Sequence, residues 1–215
     1  MRKICKNVIP AKTGIQSVFL CIILALFVSG CAKAPPHSQD NICSIFRQYP
    51  EWYWDSQDVQ KKWHIPISVL IAIMHQESHF HAGAKPPREH ILWVIPWFRP
   101  TSAYGYSQAT DESWKSYRRS TGDHGADRDD FADAANFIGW YAHQAQRKVG
   151  ISPRDPYKLY LAYHEGLGGY ARKTYLRKKW LIAISHKVSR RAWIYHRQLM
   201  GCMRSLPKKP WWRFW

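Results

Sequence analysis

The chain has 215 residues, 46% of them hydrophobic and 15% aromatic, with twelve Trp and a formal net charge of +17. That is enough apolar material for one well-packed domain and too little length for two of ordinary size. The charge favours anionic partners, whether nucleic acid, acidic lipid headgroups or an acidic polymer such as cell wall, and location must choose among them.

The N-terminus bears on location. Residues 1–14 carry Arg2, Lys3, Lys6 and Lys12 and no acid, residues 15–28 are apolar, and Val28-Ser29-Gly30-Cys31 follows. A charged region, an apolar core and a small-residue cleavage site make residues 1–30 a secretory signal. The last four residues resemble a bacterial lipobox, which implies cleavage before Cys31 and a lipid on that cysteine. An uncleaved anchor is the alternative, but 14 apolar residues are short for a bilayer span. The absence of Asp after Cys31 suggests the outer membrane, by analogy with lipoprotein sorting. An exported lipoprotein rarely meets nucleic acid. In an oxidising compartment Cys43 and Cys202, near the two ends of the folded part, are expected to form a disulfide; two separate buried thiols are the alternative.

Residues 31–42 are polar with two prolines and read as a tether. Two short helices are expected at residues 41–49 and 51–63, on either side of Pro50. Pro66 then suits the first turn of a mostly buried helix over residues 66–79, whose apolar run Val69, Leu70, Ile71, Ile73 and Met74 leads to Glu77 and Ser78. Residues 82–102 carry Pro86, Pro87, Pro96 and Pro100 among aromatics, which argues against a regular element. This segment reads as a flap over a cleft, a membrane contact or a packed loop, with Trp93, Trp97 and Phe98 as the side chains to watch. Thr110 or Asp111 caps a helix to about Arg119, and Asp127 or Asp129 the next, whose ladder Phe131, Ala134, Ala135, Ile138, Tyr141, Ala142, Ala145 and Val149 stops at Gly150. Asp155-Pro156 opens a helix stopped by Gly166, and a last helix covers residues 178–200. Residues 43–202 make the domain and residues 203–215 a basic, aromatic tail. No strand pattern and no internal repeat occur, so the fold class is all-α.

Glu77, at the end of an apolar helix, has two readings: an exposed acid in a last turn, or a partly desolvated carboxyl whose raised pKa suits a general acid. The nearby His75, His79 and His81 invite a metal site. The zinc-protease pattern, however, places Glu directly after the first His, whereas Glu77 lies two positions on, about 200° around the helix. No metal is expected. Nor does any Ser lie in a nucleophile-elbow pattern.

Three segments in order carry a resemblance. AIMHQESHF (72–80), AYGYSQAT (103–110) and YLAYHEG (160–166) resemble the signature motifs of lytic transglycosylases of the soluble type, which share the helical lysozyme-like fold of goose-type lysozyme. Members carry Glu-Ser ending an apolar helix, then Gly-Leu-Met-Gln, then Ala-Tyr-Asn-Ala-Gly. Here the counterparts are Glu77-Ser78, Gly105-Tyr106-Ser107-Gln108 and Ala162-Tyr163-His164-Glu165-Gly166. Tyr-Ser replaces Leu-Met, His-Glu replaces Asn-Ala, and the connection from Glu77 to Gly105 is longer than usual.

The resemblance implies cleavage of the β-1,4 bond between N-acetylmuramic acid and N-acetylglucosamine in peptidoglycan, without a cofactor and without water. Glu77 would be acid and then base, Ser78 would orient it, and Gln108 and Tyr163 would hold substrate. Tyr104 and Tyr106 would stack on sugars or serve as core. The alternatives are a lysozyme-type hydrolase, for which Glu165 is the candidate second carboxylate, and a non-catalytic wall-binding lipoprotein.

Overall fold

Seven α-helices occur among residues 33–86, 90–91, 95–96 and 101–213, the part of the chain described by a computed structural model. They are α1 (Ile42–Gln48), α2 (Pro50–Trp63), α3 (Ile67–Ser78), α4 (Asp111–Thr121), α5 (Phe131–Val149), α6 (Pro156–Ala171) and α7 (Lys179–Cys202). The signal segment, Cys31, Trp93, Trp97 and Phe98 lie outside the described residues.

The molecule is built around α3. Nine consecutive residues from Ile67 to His75 are buried, so the helix has no solvent face over most of its length and must be enclosed. It packs against α7, α5, α2 and α6. Leu70, Ile71 and Ile73 are 0% exposed, and truncating any one to Ala would cost about 2–5 kcal/mol. Pro66 starts the helix in extended conformation, its carbonyl accepting from the N–H groups of Val69 and Leu70. His79 and Phe80 end it with φ of 49° and 62°, left-handed values that turn the chain away directly after Glu77-Ser78.

Around this axis α2 lies close on α5 because Gly139 has no side chain: a Cβ there would come 2.5 Å from Trp63 Cδ1 and 2.8 Å from Val59 Cγ1. The caps follow the expected chemistry. Thr110 accepts from the Ser113 N–H and Asp155 from the Lys158 N–H. The cap of α5 is Asp130, which accepts from the Asp133 N–H, rather than the expected Asp127 or Asp129. α1 meets the end of α7 through Cys43 and Cys202, whose sulfurs lie at bonding distance with Cα atoms 6.2 Å apart across a separation of 159 residues. In the chain-entropy picture a loop of that length contributes about 5 kcal/mol.

Three segments differ from expectation, and the tail makes contacts that its sequence left open. Residues 33–40 are bound to the domain rather than loose. Lys33 pairs with Glu51, Tyr49 Oη donates to the Ala34 carbonyl at 2.7 Å, Arg191 bonds Asp40 at 2.7 Å and Pro36 is buried. The proline-rich connection holds a short antiparallel pair, β1 (His90–Ile91) with β2 (Ile95–Pro96), where no strand was expected. α6 breaks at Gly166 (φ 72°, ψ 157°) as expected, but helical turns resume to Ala171. The tail, too short to fold alone, is fastened to α2: Trp54 Nε1 donates to the Pro207 carbonyl at 2.7 Å, and Lys209 pairs with Asp58 at 2.6 Å.

Candidate active site

Glu77 sits in the last turn of α3, partly buried. Across from it on α6 the Tyr160 hydroxyl hydrogen-bonds its carboxyl, and Tyr163 lies within electrostatic reach. No cation pairs with Glu77 among the described residues. Burial pushes its pKa up to about 7, and the Tyr160 hydrogen bond opposes this only in part. Its place at a helix C-terminus, the negative end of the macrodipole, acts in the same direction as burial. The carboxyl therefore keeps its proton to near neutrality, as a general acid requires.

The two tyrosines are three residues apart and so share one face of α6. Each is fixed from behind. Tyr163 donates its hydroxyl to the Ser107 carbonyl at 2.7 Å, and its ring meets Tyr141 edge to face with centroids 5.0 Å apart. Tyr141 in turn donates to the Ala162 carbonyl at 2.6 Å. Tyr163 was singled out in the sequence and Tyr160 was not, although the YLAY spacing puts both on one helix face.

The second motif is a tight turn that meets Tyr163 through the Ser107 carbonyl. Tyr104 and Ala109 form an antiparallel bridge, the Gly105 N–H donates to the Ala84 carbonyl at 2.9 Å, and the Tyr106 N–H donates to the Arg128 carbonyl at 3.0 Å. Gly105 is required here. Its φ is +77°, and a Cβ would stand 2.0 Å from the Arg128 carbonyl oxygen. Gln108, also left-handed at φ 49°, donates its Nε2 to the carbonyls of Ala84 at 2.8 Å and Gly105 at 2.9 Å. Its amide nitrogen is thus committed to holding the turn. Ser107 Oγ, fully buried, has no hydrogen-bond partner among the described residues.

The other expected residues divide. Ser78 is buried and its hydroxyl donates to the Met74 carbonyl at 3.2 Å, so it acts on its own helix rather than on the Glu77 carboxyl. Tyr104 is partly exposed; its hydroxyl bonds Asp129 at 3.0 Å, and Lys85 and Arg128 lie over its ring at 5.2 and 5.4 Å. Tyr106 needs correction as a sugar-stacking residue: it is 2% exposed and enclosed edge to face by Trp52 and Phe131. No sugar ring can reach a face covered in this way.

Glu165, the candidate second carboxylate, is enclosed and paired. Its side chain is 4% exposed and pairs with Lys178 at 2.6 Å, with His164 at 3.4 Å and with the Thr174 hydroxyl. Burial acts to raise its pKa, but the hydrogen bonds from Lys178, Thr174 and His164 prevail and hold it below the ordinary Glu value. It stands two residues after Tyr163, about 200° around α6, and so on the side turned from the Tyr160 and Tyr163 face. His75 is likewise not a partner of Glu77. Its ring packs on His79 with centroids 4.7 Å apart, and burial lowers its pKa to about 4.

A cavity of about 950 Å³ opens at the opposite end of α3, between Gln60, Ile67, Val69, Trp193, His196 and Met200. Its walls contain no acid. Ten residues of helix, about 15 Å, separate Ile67 from Glu77, so this cavity is not where a glycosidic bond could be protonated.

The sequence matches the family described as Transglycosylase SLT domain over residues 19–202, most of the chain. No curated protein and no solved structure matches it. An enclosed helix ending in a carboxyl that keeps its proton to near neutrality and pairs with no cation among the described residues, with motif turn and tyrosines around it, is set in an all-α, lysozyme-like fold. The chain belongs to the transglycosylase SLT family, whose domains are of the lytic transglycosylase type and act on peptidoglycan in the cell envelope.

Proposed function

We propose that the protein cleaves the N-acetylmuramic acid–β-1,4–N-acetylglucosamine bond of peptidoglycan without water, with Glu77 as the one acid–base group. The observation that carries this is the Glu77 carboxyl itself: partly buried, hydrogen-bonded by Tyr160, unpaired by any described cation and titrating near neutrality. In the first step the Glu77 proton goes to the glycosidic oxygen. The muramoyl C1–O bond breaks with oxocarbenium character at C1, and the N-acetylglucosamine 4-hydroxyl leaves. In the second step the ionised Glu77 takes the proton of the muramoyl 6-hydroxyl as that oxygen bonds to C1. A 1,6-anhydro ring closes, and Glu77 is again protonated. A pKa near the working pH serves both directions of transfer.

The surrounding residues support the site in different ways. Tyr160 holds the carboxyl in place and moderates its pKa. Tyr163 and Gln108 shape the wall formed by residues 104–109, with the Gln108 oxygen available to the glycan. Removal of residues 1–30 takes away four Lys or Arg and no acid, and the net charge of 17 minus 4, or +13, that remains favours a wall polymer bearing carboxylates. Glu165 is neutralised by Lys178 and turned away, which favours the single-acid mechanism over a hydrolase with a water-activating second acid.

Mass spectrometry of muropeptides released by the purified protein tests this. Anhydromuramic ends, lighter than reducing ends by one water, are expected; predominantly reducing ends would refute it. The reading extends to location: Cys31 is lipidated and holds the domain at a membrane on the periplasmic side, in the outer membrane by the sorting rule. Cys31→Ala should abolish acyl labelling and leave the precursor unprocessed, and unchanged labelling would remove the assignment.

A further inference from the structure

Trp211 and Trp212 are the most exposed large apolar side chains among the described residues, at 74% and 63%. They are held in place rather than trailing. The short 3₁₀ turn Trp211–Arg213 is fastened to α2 at three points: Trp54 Nε1 to the Pro207 carbonyl at 2.7 Å, Lys209 to Asp58 at 2.6 Å, and Arg213 to Asp55 at 3.7 Å. Residues 203–213 contain four Lys or Arg and no acid. An exposed, rigidly mounted tryptophan pair on a cationic strip has no task in the Glu77 site.

Where the chain enters the domain gives the strip a meaning. Lys33 lies within electrostatic reach of both Asp55 and Arg213, so the first described residue and the Trp211–Arg213 turn share one edge. Cys31 is two residues before Lys33, no more than about 7 Å of extended chain. Residues 33–40 are bound down, so a lipid carried on Cys31, two residues earlier in the chain, would be tethered to this edge.

We propose that this edge is a lipid-contact surface. Trp211 and Trp212 seat in the interfacial layer of an anionic bilayer, and Lys208, next to the ion-paired Lys209, meets the headgroups. Tryptophan suits that layer because its ring is apolar and its N–H polar, and each cation near an anionic surface adds attraction. A glycan strand is the other polymer that aromatic rings bind. The two rings, however, stand at 83° to each other with centroids 5.9 Å apart, and so offer no common flat platform for successive sugars. The proposal uses the Cys31 reading only to say where the membrane lies, and its test omits that cysteine.

Residues 33–215 form a compact unit containing the whole described core and both Cys43 and Cys202. This fragment can be sedimented with vesicles of phosphatidylglycerol and phosphatidylethanolamine, and separately with phosphatidylcholine vesicles. Binding to the anionic vesicles is expected, weakening as salt rises. Trp211→Ser/Trp212→Ser should lower the partition by roughly tenfold or more at an unchanged melting temperature. Leu176→Ser/Trp180→Ser, at exposed apolar residues 61% and 52% accessible elsewhere, should stay within about twofold of wild type. Equal binding by the Trp211/Trp212 variant, or no vesicle binding by wild type, overturns the proposal. So does binding to purified wall sacculi, but not vesicles, that disappears with the two tryptophans. Failure here leaves the Glu77 mechanism untouched, because the vesicles contain no glycan.

Discussion

Glu77 and Glu165 are both acids near a helical break, one before His79 and the other before Gly166, and the structure treats them oppositely. Glu77 has a tyrosine hydroxyl and no described cation, so burial dominates and its carboxyl holds a proton to about pH 7. Glu165 is drawn by Lys178, Thr174 and His164 into a cluster that keeps it ionised. The difference shows that burial alone does not make an acid catalyst. Partners decide whether a desolvated carboxyl becomes a proton donor or half of a structural ion pair.

The largest effect expected from this contrast is on activity. Glu77→Gln, which keeps the shape but cannot transfer the proton, should reduce turnover of purified wall by roughly ten-thousand-fold. Glu165→Gln should stay within roughly tenfold, its loss reflecting a loosened loop after α6. Equal loss in the two variants would erase the distinction and point to a two-carboxylate hydrolase.

Stability against pH separates the two acids by sign. Folded Glu77 keeps its proton to about pH 7, whereas an unfolded Glu loses it near 4.3. Folding is therefore penalised progressively as pH rises between those values, by nothing below them and by a constant amount above. Glu77→Gln should relieve that penalty, gaining about 1–3 kcal/mol at pH 8 and nothing at pH 4 in urea unfolding. Glu165 has a lowered pKa, so its contribution is present at neutral pH and lost as pH falls through its folded value. Glu165→Gln should thus destabilise at pH 7, with the difference shrinking in acid. The same sign for both variants would mean that the two environments are alike.

The smallest effect concerns Tyr160. Its hydrogen bond lowers the Glu77 pKa against the pull of burial. Tyr160→Phe should move the alkaline limb of the kcat/KM profile upward by about half a unit to one unit, with only a several-fold loss of rate. An unmoved limb would remove Tyr160 from the site.

Much of this was legible in the chain, for reasons that differ by residue. The helix of Glu77 declared itself because nine enclosed residues need an unbroken apolar run, and Cys43 with Cys202 followed from compartment and position. Glu165 was readable only as a question, since Lys178 reaches it across a break in the helix that no local pattern encodes. Tyr106 misled because an aromatic beside a motif looks the same in sequence whether it faces a sugar or Trp52 and Phe131. Tyr160 was missed because its neighbour Tyr163 already matched the motif. The binding-down of residues 33–40 was also hidden: AKAPPHSQD has a linker's composition, and its partners Tyr49, Glu51 and Arg191 are distant in sequence.

The claim that Glu77 works alone meets its most direct test in heavy-oxygen water. Peptidoglycan digested there by wild-type protein should yield muramic ends with no heavy oxygen at C1, because the 6-hydroxyl of the sugar itself closes on that carbon. One heavy oxygen at C1 in the main product would mean that water attacks, and would contradict the single-acid mechanism.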